Sequence, residues 1–342
     1  MLDFARLPVA DRAPYILEVA SRRRLTPRIV EKDFWVCFAL RLLFSIPELR
    51  GRFVFKGGTS LSKVFGIIKR FSEDVDLSVD PDWLGFGGKE RPDEARSRSQ
   101  LDRRMKQLGD ACSAAVEQRI QPALEDAVRQ VLAARPEGGP YFAFEIDVQS
   151  HSPILIFRYP TTESDTTAYL RPQVKLELGS LTDQRPHGTH EVTPWVAEEF
   201  PKAFSSPSCP VVALEVERTF WEKVTILHAE HHRPAGKPMR SRFSRDCYDV
   251  CCMAAHPAGR AAMKDLDLLA RVVRHKQMFF PSSWASYGTA VPGSLRLVPP
   301  ARRMSDLKAD YQQMQEMFTE APPLFDALME QLRGIETELN GG

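Results

Sequence analysis

Asp74 and Asp76 alternate with apolar residues in the run EDVDLSV (73–79), fifteen residues beyond Thr59 of the run KGGTSLSK (56–63). On an extended strand Val75, Leu77 and Val79 face one way, and Asp74, Asp76 and Ser78 the other. The two carboxylates then share a face with Cα atoms about 7 Å apart, at a rise of ~3.3 Å per residue. Such a pair repels unless a cation lies between them. Hard oxygen donors suit Mg2+ (or Mn2+), which also bridges substrate phosphates. Two such ions roughly 4 Å apart can hold the attacking and leaving oxygens of an in-line displacement. Gly57 and Gly58 permit a tight turn and close approach of a ligand to the backbone, with Thr59, Ser60 and Ser62 around it. Successive N–H groups ahead of a helix form a nest for phosphate oxygens. The chemistry implied is metal-assisted attack at a phosphate. The G-x-x-x-x-G-K-[ST] spacing of a P-loop is absent.

The flanking sequence says what positions these groups. Residues 28–46 carry Ile29, Phe34, Cys37, Phe38 and Leu42 at helical spacing and stop before Pro47. RFVF (52–55) predicts a short strand that breaks at Gly57, and 60–68 predicts a helix. The Gly- and charge-rich stretch 85–98 predicts a loop, and 99–134 predicts helix interrupted near Pro122. Three strand-like runs follow, at 141–148, 153–159 and 173–178; from about 212 onward the pattern is helical. There is no internal repeat and no low-complexity segment. The expected fold is α+β: a small mixed sheet flanked by helices, then an all-helical C-terminal domain. The domains expected are residues 1–208, with a helical insertion at about 90–135, and residues 209–342.

Taken together, these segments resemble the nucleotidyltransferase superfamily of DNA polymerase beta, and more narrowly the AbiEii/AbiGii-type toxins of bacterial toxin–antitoxin and phage-defence systems. The similarity runs through VEKDFWV (30–36), KGGTSLSK, RFSEDVDL (70–77), VKLELGSL (174–181), ERTFWEKVTILHAE (217–230), RFSRDCYDV (242–250) and PGSLRLVPP…DY (292–311). It implies that Gly58 and Thr59 hold the triphosphate of an NTP, with Gly57, Ser60, Ser72, Lys223 and Arg245 completing the nucleotide-binding set. Asp74 and Asp76 would be metal ligands. A third carboxylate comes from a later strand in such enzymes; Glu177 is the candidate, with Glu145 and Asp147 competing. Lys223 would face phosphate charge, and Asp249 would orient Lys223 or Arg245. Asp246 stands where relatives often carry histidine. The implied activity is nucleotide transfer to an acceptor, with the 3′ end of tRNA favoured, opposed by a separately encoded antitoxin. Two alternatives stay open: AMP transfer to a protein hydroxyl, and a nucleotide- or RNA-binding module without catalysis.

Composition narrows the setting. The chain has 342 residues, 43% hydrophobic and 27% charged, which suits a globular protein of about two domains. Lys plus Arg (46) balance Asp plus Glu (45), so an anionic partner must be drawn by a local patch. Arg22, Arg23, Arg24 and Arg28 form one such cluster, and Arg218, Lys223, Arg233, Lys237, Arg240, Arg242 and Arg245 another. Six scattered cysteines, no signal-peptide pattern and no membrane-length apolar run predict a cytoplasmic protein. Neither His228, His231 and His232 nor Cys247, Cys251 and Cys252 has paired zinc spacing. Modification of Ser72 would add negative charge beside the metals.

Overall fold

The computed structural model describes residues 1–132, 138–148, 150–161 and 171–341. The chain forms two compact units: Met1–Val64 with Ser72–Ala213, and Phe65–Phe71 with Leu214–Gly342.

The first unit is built on a seven-stranded mixed sheet, confirming the α+β expectation. Its strands are β1 (Phe53–Lys56), β2 (Asp74–Val79), β3 (Phe142–Ile146), β4 (Pro153–Phe157), β5 (Val174–Gly179), β6 (His187–Val192) and β7 (Cys209–Leu214). Their spatial order is β3-β4-β5-β2-β1-β7-β6. β2 runs antiparallel to β1 and parallel to β5. β2 and β5 obey the two-residue alternation: Val75, Leu77, Val79, Val174, Leu176 and Leu178 are fully buried on one face. Against that face packs the helix Pro27–Ser45, which starts with Pro27 in its first turn behind the Thr26 cap and stops as Ile46 extends before Pro47. It is apolar on nearly every side and so is enclosed by the core.

Two local expectations change. The helix expected at 60–68 is instead Gly57–Lys63, and Gly66 sits at φ +63° in the irregular stretch beyond it. The interruption expected near Pro122 is a single widened turn, Val116–Ile120, between helices Arg98–Ala115 and Gln121–Arg129; Pro122 follows two residues beyond it.

The second unit is helical, with Val216–His231, Ser244–Ala255, Leu266–Phe279, Met304–Gln313 and Phe325–Leu339 as its longer helices. Phe220, Trp221, Val224, Leu227, Cys247, Val250 and Leu332 are fully buried in it. Trp221 donates its indole N–H to the Ala262 carbonyl at 3.0 Å. Among the described residues, no helix is long and apolar enough to cross a membrane.

Candidate active site

The β1–helix junction is shaped around Asp76. Gly57 has φ +80°, and a Cβ there would collide with the Asp76 carboxylate. The hydroxyls expected to ring the turn are used to brace it. Thr59, fully buried, donates to the Asp74 carbonyl; Ser60 donates to the Gly57 carbonyl at 2.9 Å and Ser62 to the Thr59 carbonyl at 3.1 Å. The loop is thereby pinned to β2, and what it leaves for a ligand is first-turn backbone N–H without intrahelical acceptors.

Strand register assembles the carboxylates. In β2 and β5, Asp74 pairs with Lys175 and Asp76 with Glu177; in β1, Lys56 pairs with Asp76. Glu177 therefore stands beside Asp76 on the same face. Glu145 lies two strands away, in register with Ile154, which in turn pairs with Glu177. Lys175 contacts Glu177 at 2.6 Å and Asp147 at 3.5 Å. Burial pushes the Asp74 carboxyl up to about 7, reinforced by Glu73, Asp76 and Glu177 and opposed by Lys175. Among the described residues, no three His, Cys, Asp or Glu side chains form a ready-made metal cage. The Asp74–Asp76 pair is a partial set of hard donors under charge strain. That suits Mg2+, which is bound through one or two carboxylates with substrate phosphates and water supplying the rest.

A group of buried charges that the sequence did not single out supports this strand. In the helix Pro27–Ser45, Lys32 is 3% exposed, contacts Glu73 at 2.7 Å and donates to the Arg171 carbonyl at 3.2 Å. Its neighbour Asp33, fully buried, holds Lys63 at 2.7 Å and accepts from the Trp195 N–H at 2.8 Å. Glu31 accepts from the Thr161 hydroxyl at 2.8 Å. The signal was present: three consecutive charges inside an otherwise apolar helix pattern. Ser72, also buried, stands two residues before Asp74 in the same unit.

Within the helical unit, Lys223 lies between Asp246 (2.5 Å) and Asp249 (3.0 Å). Arg70 clamps Asp249 with two guanidinium contacts of 2.8 and 2.7 Å. Burial opposes the Lys223 charge, but Asp246 and Asp249 outweigh it and raise its pKa. Burial likewise opposes ionisation of Asp249, and Arg70 and Lys223 overcome it. Arg70 is carried by the segment Phe65–Phe71, which is anchored by the Phe71 N–H on the Met317 carbonyl and the Lys69 N–H on the Tyr248 hydroxyl. Arg245 contacts the Met317 sulfur at 2.9 Å.

Several cations of the two clusters are committed to acids: Arg23 to Glu198 and Glu199, Arg218 to Glu222, and Arg233 to Glu230. Arg233 and Lys237 also flank the Trp284 ring, at 4.6 and 5.9 Å from its centroid. His228 is held near a pKa of about 4, chiefly by burial; its Nδ1 accepts from the Arg296 N–H, and Nε2 lies 3.1 Å from the Ser286 carbonyl. All six cysteines are free thiols.

This chain is a nucleotidyltransferase. Its residues 39–331 match the family of nucleotidyl transferase AbiEii toxins of type IV toxin–antitoxin systems, and the chain belongs to that family. No curated protein is significantly similar to it in sequence. Among solved structures it is similar to MenT4, a nucleotidyltransferase toxin from Mycobacterium tuberculosis H37Rv, at 17% identity and a TM-score of 0.48, covering 98% of this chain and 90% of that one. Membership in a toxin–antitoxin family implies an antitoxin partner and an NTP substrate.

Proposed function

We propose that this toxin transfers nucleotides from an NTP to the 3′ end of RNA, with tRNA as the acceptor, in a divalent-metal-dependent reaction, and that phage defence is its setting. The observation that carries the reading is the register of β2 and β5, which sets Asp74, Asp76 and Glu177 on one face while burial and mutual repulsion raise Asp74 to about 7. Carboxylates so loaded favour a cation. When bound, Mg2+ or Mn2+ neutralises phosphate charge and lowers the barrier to in-line attack.

In this reaction the acceptor hydroxyl forms a bond to the α-phosphorus as the bond to the β-phosphate oxygen breaks, and pyrophosphate leaves. Asp74 and Asp76 are the proposed metal ligands, and Glu177 the third carboxylate. Gly57, Gly58 and Thr59 seat phosphate through first-turn backbone N–H, while the Thr59 hydroxyl on the Asp74 carbonyl and the Ser60 hydroxyl on the Gly57 carbonyl hold the turn in shape. Ser72 contributes as a buried neighbour of the metal pair. Lys223 and Arg245 are the proposed phosphate cations, and Asp249 positions Lys223. An RNA acceptor is supported by Trp284 with its flanking Arg233 and Lys237, since ring faces beside cations suit single-stranded bases and phosphates.

The test is incubation with each α-labelled NTP, Mg2+ and either total tRNA or total cell protein. Label in tRNA is expected. Label in protein alone would replace the RNA reading with AMP-type protein modification, and label in neither fraction would count against both acceptors.

A further inference from the structure

Lys56 ends β1 in register with Asp76, on the sheet face that carries Asp74 and Glu177. It is half-buried, and among the described residues its side chain makes no hydrogen bond, ion pair or ring contact. The other lysines of this region are all engaged: Lys175 by Glu177, Lys32 by Glu73 and Lys63 by Asp33. Asp76, though its strand neighbour, lies against Gly57 instead. The Lys56 ammonium stays open to an anion, because among the described residues no carboxylate of the neighbouring strands holds it. An anion that completes Lys56 must also be tolerated by Asp74 and Asp76, which requires a ligand that shares their cation. A polyphosphate chain meets both conditions: one stretch bridges to the metal side and another reaches the ammonium.

We propose that Lys56 is a nucleotide-binding residue whose Nζ seats the non-transferred phosphates of the incoming NTP. The proposal rests on the NTP-transfer reading above. It assigns to Lys56 a point-charge contact independent of the base, so it acts on every NTP alike.

Mg2+–tripolyphosphate isolates this contact from any base preference. Calorimetric titration into the full-length wild type, Lys56→Met, Lys56→Gln and Lys56→Arg is the experiment, with each variant's fold checked by thermal melting. The neutral variants should bind about tenfold to a hundredfold more weakly, the loss expected for one charge-assisted contact. Lys56→Arg should stay within about threefold, because the charge is kept. In transfer assays the KM for NTP should rise more than kcat falls. Melting of the neutral variants without ligand should be unchanged, since among the described residues the ammonium holds no partner within the protein. Wild-type binding with neutral variants within twofold of it overturns the Lys56 role and leaves the transfer reading intact. A wild type that binds no Mg2+–tripolyphosphate and transfers no nucleotide overturns both.

Discussion

The Asp76 carboxylate fills the space in which a side chain at residue 57 would begin, and Gly57 holds φ +80° to let it do so. One residue of the turn therefore fixes the position of a proposed metal ligand on the neighbouring strand.

Gly57→Ala should accordingly damage activity beyond its effect on stability. The left-handed backbone alone costs roughly 1–2 kcal/mol for a residue with a Cβ, and displacement of Asp76 should cut transfer by at least about tenfold. Gly66→Ala is the matched control: its φ is +63°, but a Cβ there meets nothing within 4 Å. Comparable losses in melting temperature with transfer impaired only for Gly57→Ala are expected. Equal losses of transfer in both would remove the special role of the Gly57–Asp76 contact.

Much of this site was legible beforehand because its residues are close in sequence and obey a two-residue period. Asp74, Asp76, Lys175 and Glu177 fall on one face by alternation alone, and the structure adds the parallel register that puts Glu177 beside Asp76. β6 and β7 were not legible. β6, HGTHEV, is an exposed edge strand with little apolar content, and β7, CPVVAL, is short and contains Pro210. The Arg70–Asp249 pair was hidden for another reason: 179 residues separate its members, and no local pattern reports such a partner.

Third-carboxylate identity follows from register. Glu177→Gln should reduce transfer by ~10²-fold or more, on the scale of losing one preorganised electrostatic contact. Glu145→Gln, two strands away, should stay within about threefold of wild type. Kinetics on the two variants decide it; a severe Glu145→Gln defect with an active Glu177→Gln would exchange their roles.

Asp74 predicts an unusual stability profile for the metal-free protein. Its pKa is raised from 3.8 to about 7, so the folded state holds this proton more tightly than the unfolded chain. Stability from this group is then greatest at low pH, declines as pH rises from about 4 through about 7, and levels off above. Asp74→Asn should therefore stabilise the protein in EDTA, by on the order of a few kcal/mol at pH 8 and clearly less at pH 5. Thermal melts at both pH values check this. An Asn advantage that is absent, or equal at the two, would show that Asp74 is not under this strain.

Lys223 joins stability to activity in the helical unit. Its removal leaves Asp246 and Asp249 without their shared cation, although Arg70 still compensates Asp249. Lys223→Ala should lower stability by about 1–3 kcal/mol and transfer by ~10²–10³-fold, with partial rescue by Lys223→Arg. Asp249→Ala, which leaves a fully buried Arg70 uncompensated, should cost more in stability, about 3–5 kcal/mol. Denaturant melts and transfer kinetics separate the effects. A Lys223→Ala protein with near-wild-type turnover would confine this network to folding.

The most direct test of metal-dependent transfer through Asp74 and Asp76 compares incorporation of α-labelled NTP into tRNA by the wild type and by Asp74→Ala/Asp76→Ala. The reaction is run with Mg2+ and with EDTA. The buried face of β2, Val75, Leu77 and Val79, is untouched in the variant, so it should fold. Labelled tRNA from the wild type with Mg2+ alone, and none from the folded variant under either condition, is the predicted result. Incorporation by the variant at the wild-type rate, or wild-type incorporation undiminished by EDTA, would contradict it.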